Sequence, residues 1–196
     1  MSLDKDCPVY HEGDSAKHWF EVVSGVVRTC RYLATGQRQL TGFYYPDEVF
    51  GLEDGSYLES AETVTEAVIR RHAKSAPDEV LAKALEKARQ DMFVMGHKTA
   101  ENRVAAFMFS VAEQFEEPGL EFVMSRNDIA DHLNLTLHTV SRTICDLARR
   151  GLIALNGPQH LGILDADGLR RAAGDGQEES LIARPVVADL PGPKIL

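Results

Sequence analysis

The stretch Met124–Gly151, MSRNDIADHLNLTLHTVSRTICDLARRG, constrains this chain more than any other. Ser125 is followed three residues later by Asp128, a capping box with Asp in place of the usual Glu or Gln. It predicts a short helix over about Arg126–Leu133 that buries Ile129 and Leu133. Asn134 and Leu135 make a turn, Thr136 caps a second helix running to about Arg150, and Gly151 takes the position just past its end. On that second helix Leu137, Val140, Ile144 and Leu147 recur at i, i+3, i+7 and i+10, which predicts an inward face. His138, Ser141, Arg142, Cys145 and Arg149 fall on the other side.

The segment that follows, GLIALNGPQHLGILDADGL, predicts a small hairpin with strands at Leu152–Leu155 and Leu161–Leu164 and a turn at Asn156–Gln159. A short helix, a tight turn, a second helix with polar residues near its start and a hairpin behind it make a winged helix-turn-helix. The competing reading is a generic helical hairpin with a solvated face, and turn length, caps and wing together weigh against it. The formal net charge of −9 does not advertise nucleic-acid binding, because neutralising phosphate needs local Lys and Arg. Local distribution overrides the total here: Thr136–Arg150 carries three Arg against one Asp.

The 196 residues suffice for one large domain or two small ones, and 44% apolar content is ordinary for a folded chain. The absence of a long apolar run or a leader-like start predicts a cytoplasmic protein without a membrane span. Cys7, Cys30 and Cys145 are scattered and odd in number, which predicts free thiols and disfavours a zinc site or an iron–sulfur cluster.

Residues 8–70 read as short strands, with Gly13, Gly25, Gly36, Gly42 and Gly51 as turns between Val-, Phe- and Tyr-rich segments. That spacing predicts an antiparallel barrel or jelly roll, with FEVVSGVVRTCRY as two strands meeting near Ser24–Gly25. The pattern changes at Ala76-Pro77 to a helix in which Leu81, Leu85, Ala88, Met92, Met95 and Thr99 follow alternating steps of four and three. A 3.5-residue period is a coiled-coil seam and favours dimerisation, the alternative being a helix packed on its own barrel. A further helix, KTAENRVAAFMFSVAEQF, buries Val104, Phe107, Val111 and Phe115 and ends at Pro118-Gly119. The expected α+β organisation is a β-roll, jelly-roll-like, over 1–75, a dimerisation helix over 76–97, a winged helix-turn-helix over 98–171 and a mobile tail over 172–196.

Asp128-Ile129-Ala130-Asp131-His132-Leu133 followed by Thr139-Val140-Ser141-Arg142 resembles the DNA-binding domain of the CRP/FNR superfamily of bacterial transcription regulators. The run from Gly96 to Ala105, GHKTAENRVA, together with Phe50-Gly51-Leu52-Glu53, is similar to its FixK branch. The resemblance covers about residues 8–165. It implies a β-roll sensor-like domain, a long dimer helix and a homodimer on a palindrome of the TTGA–TCAA kind. It further implies an activator that contacts RNA polymerase in low-oxygen-linked gene control. Arg142 is then the residue for guanine, Ser141 for a base edge or phosphate, and Arg149, Arg150 and Thr136 for phosphate oxygens. The family usually has Glu where this chain has His138, which predicts altered reading of one base pair.

Regulators of the CRP type pair a cyclic-nucleotide phosphate with an Arg in the β-roll, whereas this chain has no Lys or Arg between Arg38 and Arg70 and offers Glu59, Glu62 and Glu66 instead. Cyclic nucleotide is therefore not expected, although a ligand of another kind in the β-roll stays open as an alternative mode of control. No cofactor is expected, haem being the hardest to set aside because His11, His18, His72 and His97 are available to it. His11, His18, His72 and His97 read as surface residues, and His11-Glu12 with His18 are too sparse for an enzyme of the cupin type. Cys145 lies three residues after Arg142 and four before Arg149, which makes it a candidate redox-sensitive thiol beside DNA. The bland alternative is a small half-buried residue with no sensing role.

Overall fold

The computed structural model describes residues 1–73, 75–114, 121–157 and 160–174. Eight strands come first: β1 (Ser2–Leu3), β2 (Pro8–Tyr10), β3 (His18–Ser24), β4 (Val27–Tyr32), β5 (Arg38–Tyr44), β6 (Val49–Phe50), β7 (Ser60–Thr63) and β8 (Ala67–Ala73). They form two antiparallel four-stranded sheets, ordered β1-β8-β3-β6 and β2-β7-β4-β5. Both sheets feed one core, where Tyr10, Phe20, Val22, Phe50, Ala61 and Ile69 are buried together. This is the expected β-roll.

The two strands of FEVVSGVVRTCRY exist, but they do not pair with each other. β3 belongs to one sheet and β4 to the other, so the chain steps between sheets at Gly25. Gly25 has φ +83°, and a Cβ there would lie 2.3 Å from the Glu66 carbonyl oxygen, so glycine is required. Gly42 is not a turn residue. It sits inside β5 opposite Thr29, where a Cβ would press on the Tyr44 ring at 3.2 Å. A register shift between Thr29 and Cys30 follows, so this glycine marks a bulge rather than a strand end.

Helix α1 spans Asp78–Gly96, with Asp78 and Glu79 in its first turn against the positive end of its dipole. Its buried residue is Val94. Along the 3.5-residue stripe Leu81, Leu85, Ala88 and Met92 are exposed, with Met92 73% accessible, and Met95 is half-buried. Within one chain, therefore, most of the stripe does not pack on the β-roll. Helix α2 spans Ala100–Glu113, capped by Thr99, whose hydroxyl accepts from the Asn102 N–H at 3.0 Å. Val104, Phe107 and Val111 are buried as the pattern requires, and Phe115 with Pro118-Gly119 lies outside the described residues.

The remaining elements are β9 (Glu121–Val123), α3 (Arg126–Leu133), α4 (Leu137–Arg149), β10 (Ile153–Leu155), β11 (His160–Ile163) and α5 (Ala166–Ala173). The hairpin β10–β11 is the expected wing, and β9 adds a third strand to it that the sequence pattern did not announce. Helix α5 was also missed. Asp165 caps it by accepting from the Gly168 N–H at 2.7 Å, and Gly174 ends it at φ +97°. Ala172 and Ala173 are buried in α5, so the first residues assigned to a tail are packed structure; the rest of 172–196 beyond Gly174 lies outside the described residues.

One core joins the β-roll to the helices. Leu40 and Phe43 of β5 are continuous with Val104 and Phe107 of α2 and with Ile129 of α3 and Ile144 of α4. The helix-turn-helix is thus seated on the outer face of the β4–β5 sheet.

Candidate nucleic-acid interface

Helix α4 is built as its local sequence dictates. The Thr136 hydroxyl accepts from the Thr139 N–H at 3.2 Å, Gly151 follows the helix with φ +73°, and Asn134 makes the preceding turn with φ +51°. Val140, Ile144 and Leu147 are fully buried against α3 and the wing. Leu137, expected to face inward, is 48% exposed, because it is the first residue of α4 and lies one turn before the buried spine begins. His138, Arg142, Cys145 and Arg149 are exposed and Ser141 is half-buried, so all five candidate residues share the outward side. Cys145 is a free, exposed thiol rather than a half-buried one.

The cations on this side are not equivalent. Arg142 makes no ion pair with a described residue. Arg149 pairs with Asp146 one turn back, and Arg150 pairs with Glu101 of α2. Such exposed pairs contribute little and exchange readily for another anion. The N-terminus of α4 adds the positive end of a helix dipole and free backbone donors.

The opposite side of the unit is fastened down by α3. Ser125 accepts from the Asp128 N–H at 3.0 Å, but the reciprocal half of the capping box is replaced. The Asp128 carboxylate, 3% exposed, accepts instead from Arg28 of β4 at 3.0 Å and from Arg38 of β5 at 2.6 Å. Arg38 also reaches Asp131 at 2.9 Å, and Arg28 reaches Glu62 at 2.8 Å. One turn further on, the His132 ring lies 5.1 Å from the Phe43 ring and 5.3 Å from the Phe107 ring. Burial and then the charge of Lys87 lower its pKa to about 4, opposed by a hydrogen bond donated to the Leu40 carbonyl. A neutral imidazole therefore packs at this junction at neutral pH.

Comparison with known proteins agrees with this geometry. A Crp-like helix-turn-helix domain matches residues 102–172, and a cyclic nucleotide-binding domain matches residues 1–84. The nitrogen fixation regulation protein FixK of Rhizobium meliloti is 39% identical over 171 residues, covering 83% of this chain and 81% of that protein. This chain belongs to the CRP/FNR family. FixK of Azorhizobium caulinodans is 34% identical over 188 residues, with 85% of this chain and 76% of the relative covered. The structure of FixK2 from Bradyrhizobium japonicum superposes with a TM-score of 0.76 at 31% identity, covering 88% of this chain and 95% of that one. The chain is a DNA-binding transcription regulator of the FixK/FNR type, with the β-roll and winged helix-turn-helix architecture of the family.

The cyclic nucleotide-binding fold does not bring the matching chemistry. A cavity of about 930 Å³ opens between the β-roll and α1, lined among others by Tyr44, Glu53, Glu59, Lys87 and Asp91. Among the described residues lining it Lys87 is the one cation, and it already serves Glu48 at 3.3 Å and Asp91 at 3.6 Å. Burial raises the pKa values of Glu48, Glu59 and Asp91, as expected for carboxylates with too little positive charge around them. A phosphate placed there would face carboxylates with no free cation among the described residues, so the residues lining the cavity do not fit a cyclic nucleotide. The sequence reading missed Arg28 and Arg38 as partners of α3. Their alternation with apolar neighbours on β4 and β5 marks them as facing outward, but nothing local says onto what.

Proposed function

We propose that the protein works as a homodimer, paired through the Leu81, Leu85, Ala88, Met92 and Met95 stripe of α1, and reads a two-fold symmetric DNA site of the TTGA–TCAA kind. The observation that carries this reading is the outward stripe of α4, with exposed His138, Arg142, Cys145 and Arg149 above a spine that is wholly buried. A helix of that kind enters a major groove, and a dimer meets successive grooves about 34–36 Å apart. Arg142 donates to guanine O6 and N7, a bidentate contact that discriminates by about 1–3 kcal/mol. Ser141 meets a base edge or a phosphate. Thr136 and Arg149 take phosphate oxygens, as does Arg150 once it exchanges Glu101 for one.

His138 alters the reading of one base pair. A neutral imidazole accepts through one nitrogen and donates through the other, unlike a Glu carboxylate, which only accepts. Binding-site selection with the wild type and His138→Glu should return different preferences at that position; the same preference from both would remove the idea. The resemblance to the FixK branch further suggests low-oxygen-linked gene control, with the dimer acting in the cytoplasm as an activator that contacts RNA polymerase; the names of those relatives speak only of nitrogen fixation regulation.

Cys145 makes this interface sensitive to peroxide. Two peroxide molecules convert the thiolate to a sulfinate, each giving one oxygen to sulfur and leaving as water, and the product sets a negative charge beside DNA phosphate. Peroxide should weaken DNA binding by the wild type and spare Cys145→Ala; equal loss in both would reject the switch. A second reading, in which a ligand in the β-roll controls DNA binding, is favoured by the cavity beside α1. The test of the leading proposal is a mobility-shift titration on a TTGA–TCAA duplex at fixed salt. Arg142→Ala should lower the preference for that duplex over random DNA at least tenfold while retaining phosphate-driven binding, about the loss of one bidentate contact.

A further inference from the structure

Asp128, Asp131 and His132 lie at i, i+3 and i+4 on α3 and so share one face of that helix. All three are engaged by the β-roll, and none of these bonds uses α4. Each oxygen of the Asp128 carboxylate is held by a different strand: Oδ2 by Arg28 of β4 at 3.0 Å, Oδ1 by Arg38 of β5 at 2.6 Å. Arg38 spans both acids, donating from Nε and Nη2 to Asp131 Oδ2 at 3.1 and 2.9 Å. On the same face, the His132 ring lies close to the Phe43 ring of β5 and the Phe107 ring of α2.

This arrangement resists sliding as well as separation. Apolar packing alone is tolerant of small rotations, whereas a guanidinium fork is directional and a buried carboxylate stripped of one partner is costly. Rotating α3 about its axis, or shifting it along the sheet, would break one oxygen's bond before the other's. The exposed stripe of α4 is left free in the docked position, so the junction aims that stripe rather than hiding it.

We infer that Arg28 and Arg38 are positioning residues for DNA recognition: through Asp128 and Asp131 they fix the angle of the reading helix, and so set which spacing between half-sites the dimer accepts. The inference rests on the proposed dimeric reading of a two-fold site and adds what determines its spacing.

The experiment uses the full chain and duplexes carrying its selected half-site, twice at the preferred spacing, twice with one or two base pairs added or removed, and once alone. Wild type, Arg38→Gln and Arg38→Lys are titrated on each. Wild type should favour one spacing. Arg38→Gln should bind the single half-site within about twofold of wild type, while its preference among spacings falls about tenfold, the size expected for coupled ion-pair neighbours. Arg38→Lys should recover part of that preference, because an ammonium keeps the charge but cannot reproduce the fork.

Three results would overturn the inference: an unchanged spacing preference in Arg38→Gln, an equal loss on every duplex including the single half-site, or tighter binding on all of them. The second would make the junction a folding support and the third a brake. If Arg38→Gln does not melt cooperatively, Asp131→Asn, at a more accessible position, is judged by the same outcomes. A wild type indifferent to spacing, or binding only single half-sites, would instead reject the dimeric reading, and the inference with it.

Discussion

His132 offers a quantitative handle on the junction between the β-roll and the reading unit. Its pKa falls from 6.5 to about 4 in the fold, where burial and Lys87 disfavour the cation. Between those values the unfolded chain binds a proton that the folded chain refuses, so the stabilising contribution is complete above pH 6.5 and is lost as pH falls toward 4. Taking pH 7 to pH 5, the two pKa values give a loss of about 2 kcal/mol, with a limiting slope of about 1.4 kcal/mol per pH unit. Glu48, Glu59 and Asp91 act with the opposite sign, because their raised pKa values favour the fold on protonation. A single-protein pH profile would therefore mix the terms. The informative assay is urea unfolding of wild type and His132→Gln at pH 7, 6 and 5, where the carboxylate terms cancel between the two proteins. The gap in stability should shrink by about 2 kcal/mol as the pH falls, since the glutamine has nothing to protonate. A gap that does not change with pH would refute the claim that a neutral imidazole is required at this junction.

Asp128→Ala should destabilise the protein by about 3 kcal/mol in denaturant unfolding, because it leaves the side chains of Arg28 and Arg38 facing a partly desolvated gap. A cost under about 1 kcal/mol would place this contact with ordinary surface pairs. Gly25→Ala should cost about 3 kcal/mol or more in the same assay, combining a left-handed backbone with a clash against the Glu66 carbonyl. Gly36→Ala, at φ +80° but with open space around it, should cost distinctly less; equal costs would show that the crossing between sheets is not sterically required at Gly25.

What was legible in the sequence was what is local. The caps at Ser125 and Thr136, the spine of Val140, Ile144 and Leu147 and the stop at Gly151 each depend on residues within one or two turns, and they located both helices of the reading unit to within a residue. The wing followed from two apolar runs around a turn. The contacts that were missed span the chain. Asp128 read as half of a capping box, yet its side chain is claimed by Arg28 and Arg38, 100 and 90 residues earlier. Capping and ion pairing ask for the same residue type, so the local pattern cannot say which one wins. FEVVSGVVRTCRY gave the right strands but not their separate sheets, because alternation reports one buried face and not which neighbour lies beside it. Helix α5 carried readable signals in Asp165 and Gly174, but at eight residues it was too short for its periodicity to stand out.

The central claim is that two copies of the α4 stripe read one duplex in successive major grooves. Selection of bound duplexes from a random pool at fixed, stated salt tests it most directly. The enriched sequence should be two-fold symmetric, with half-sites about one helical turn apart and a guanine–cytosine pair in each half whose enrichment disappears in Arg142→Ala. Enrichment of a single asymmetric element, or of a symmetric one that Arg142→Ala still selects unchanged, would contradict the account.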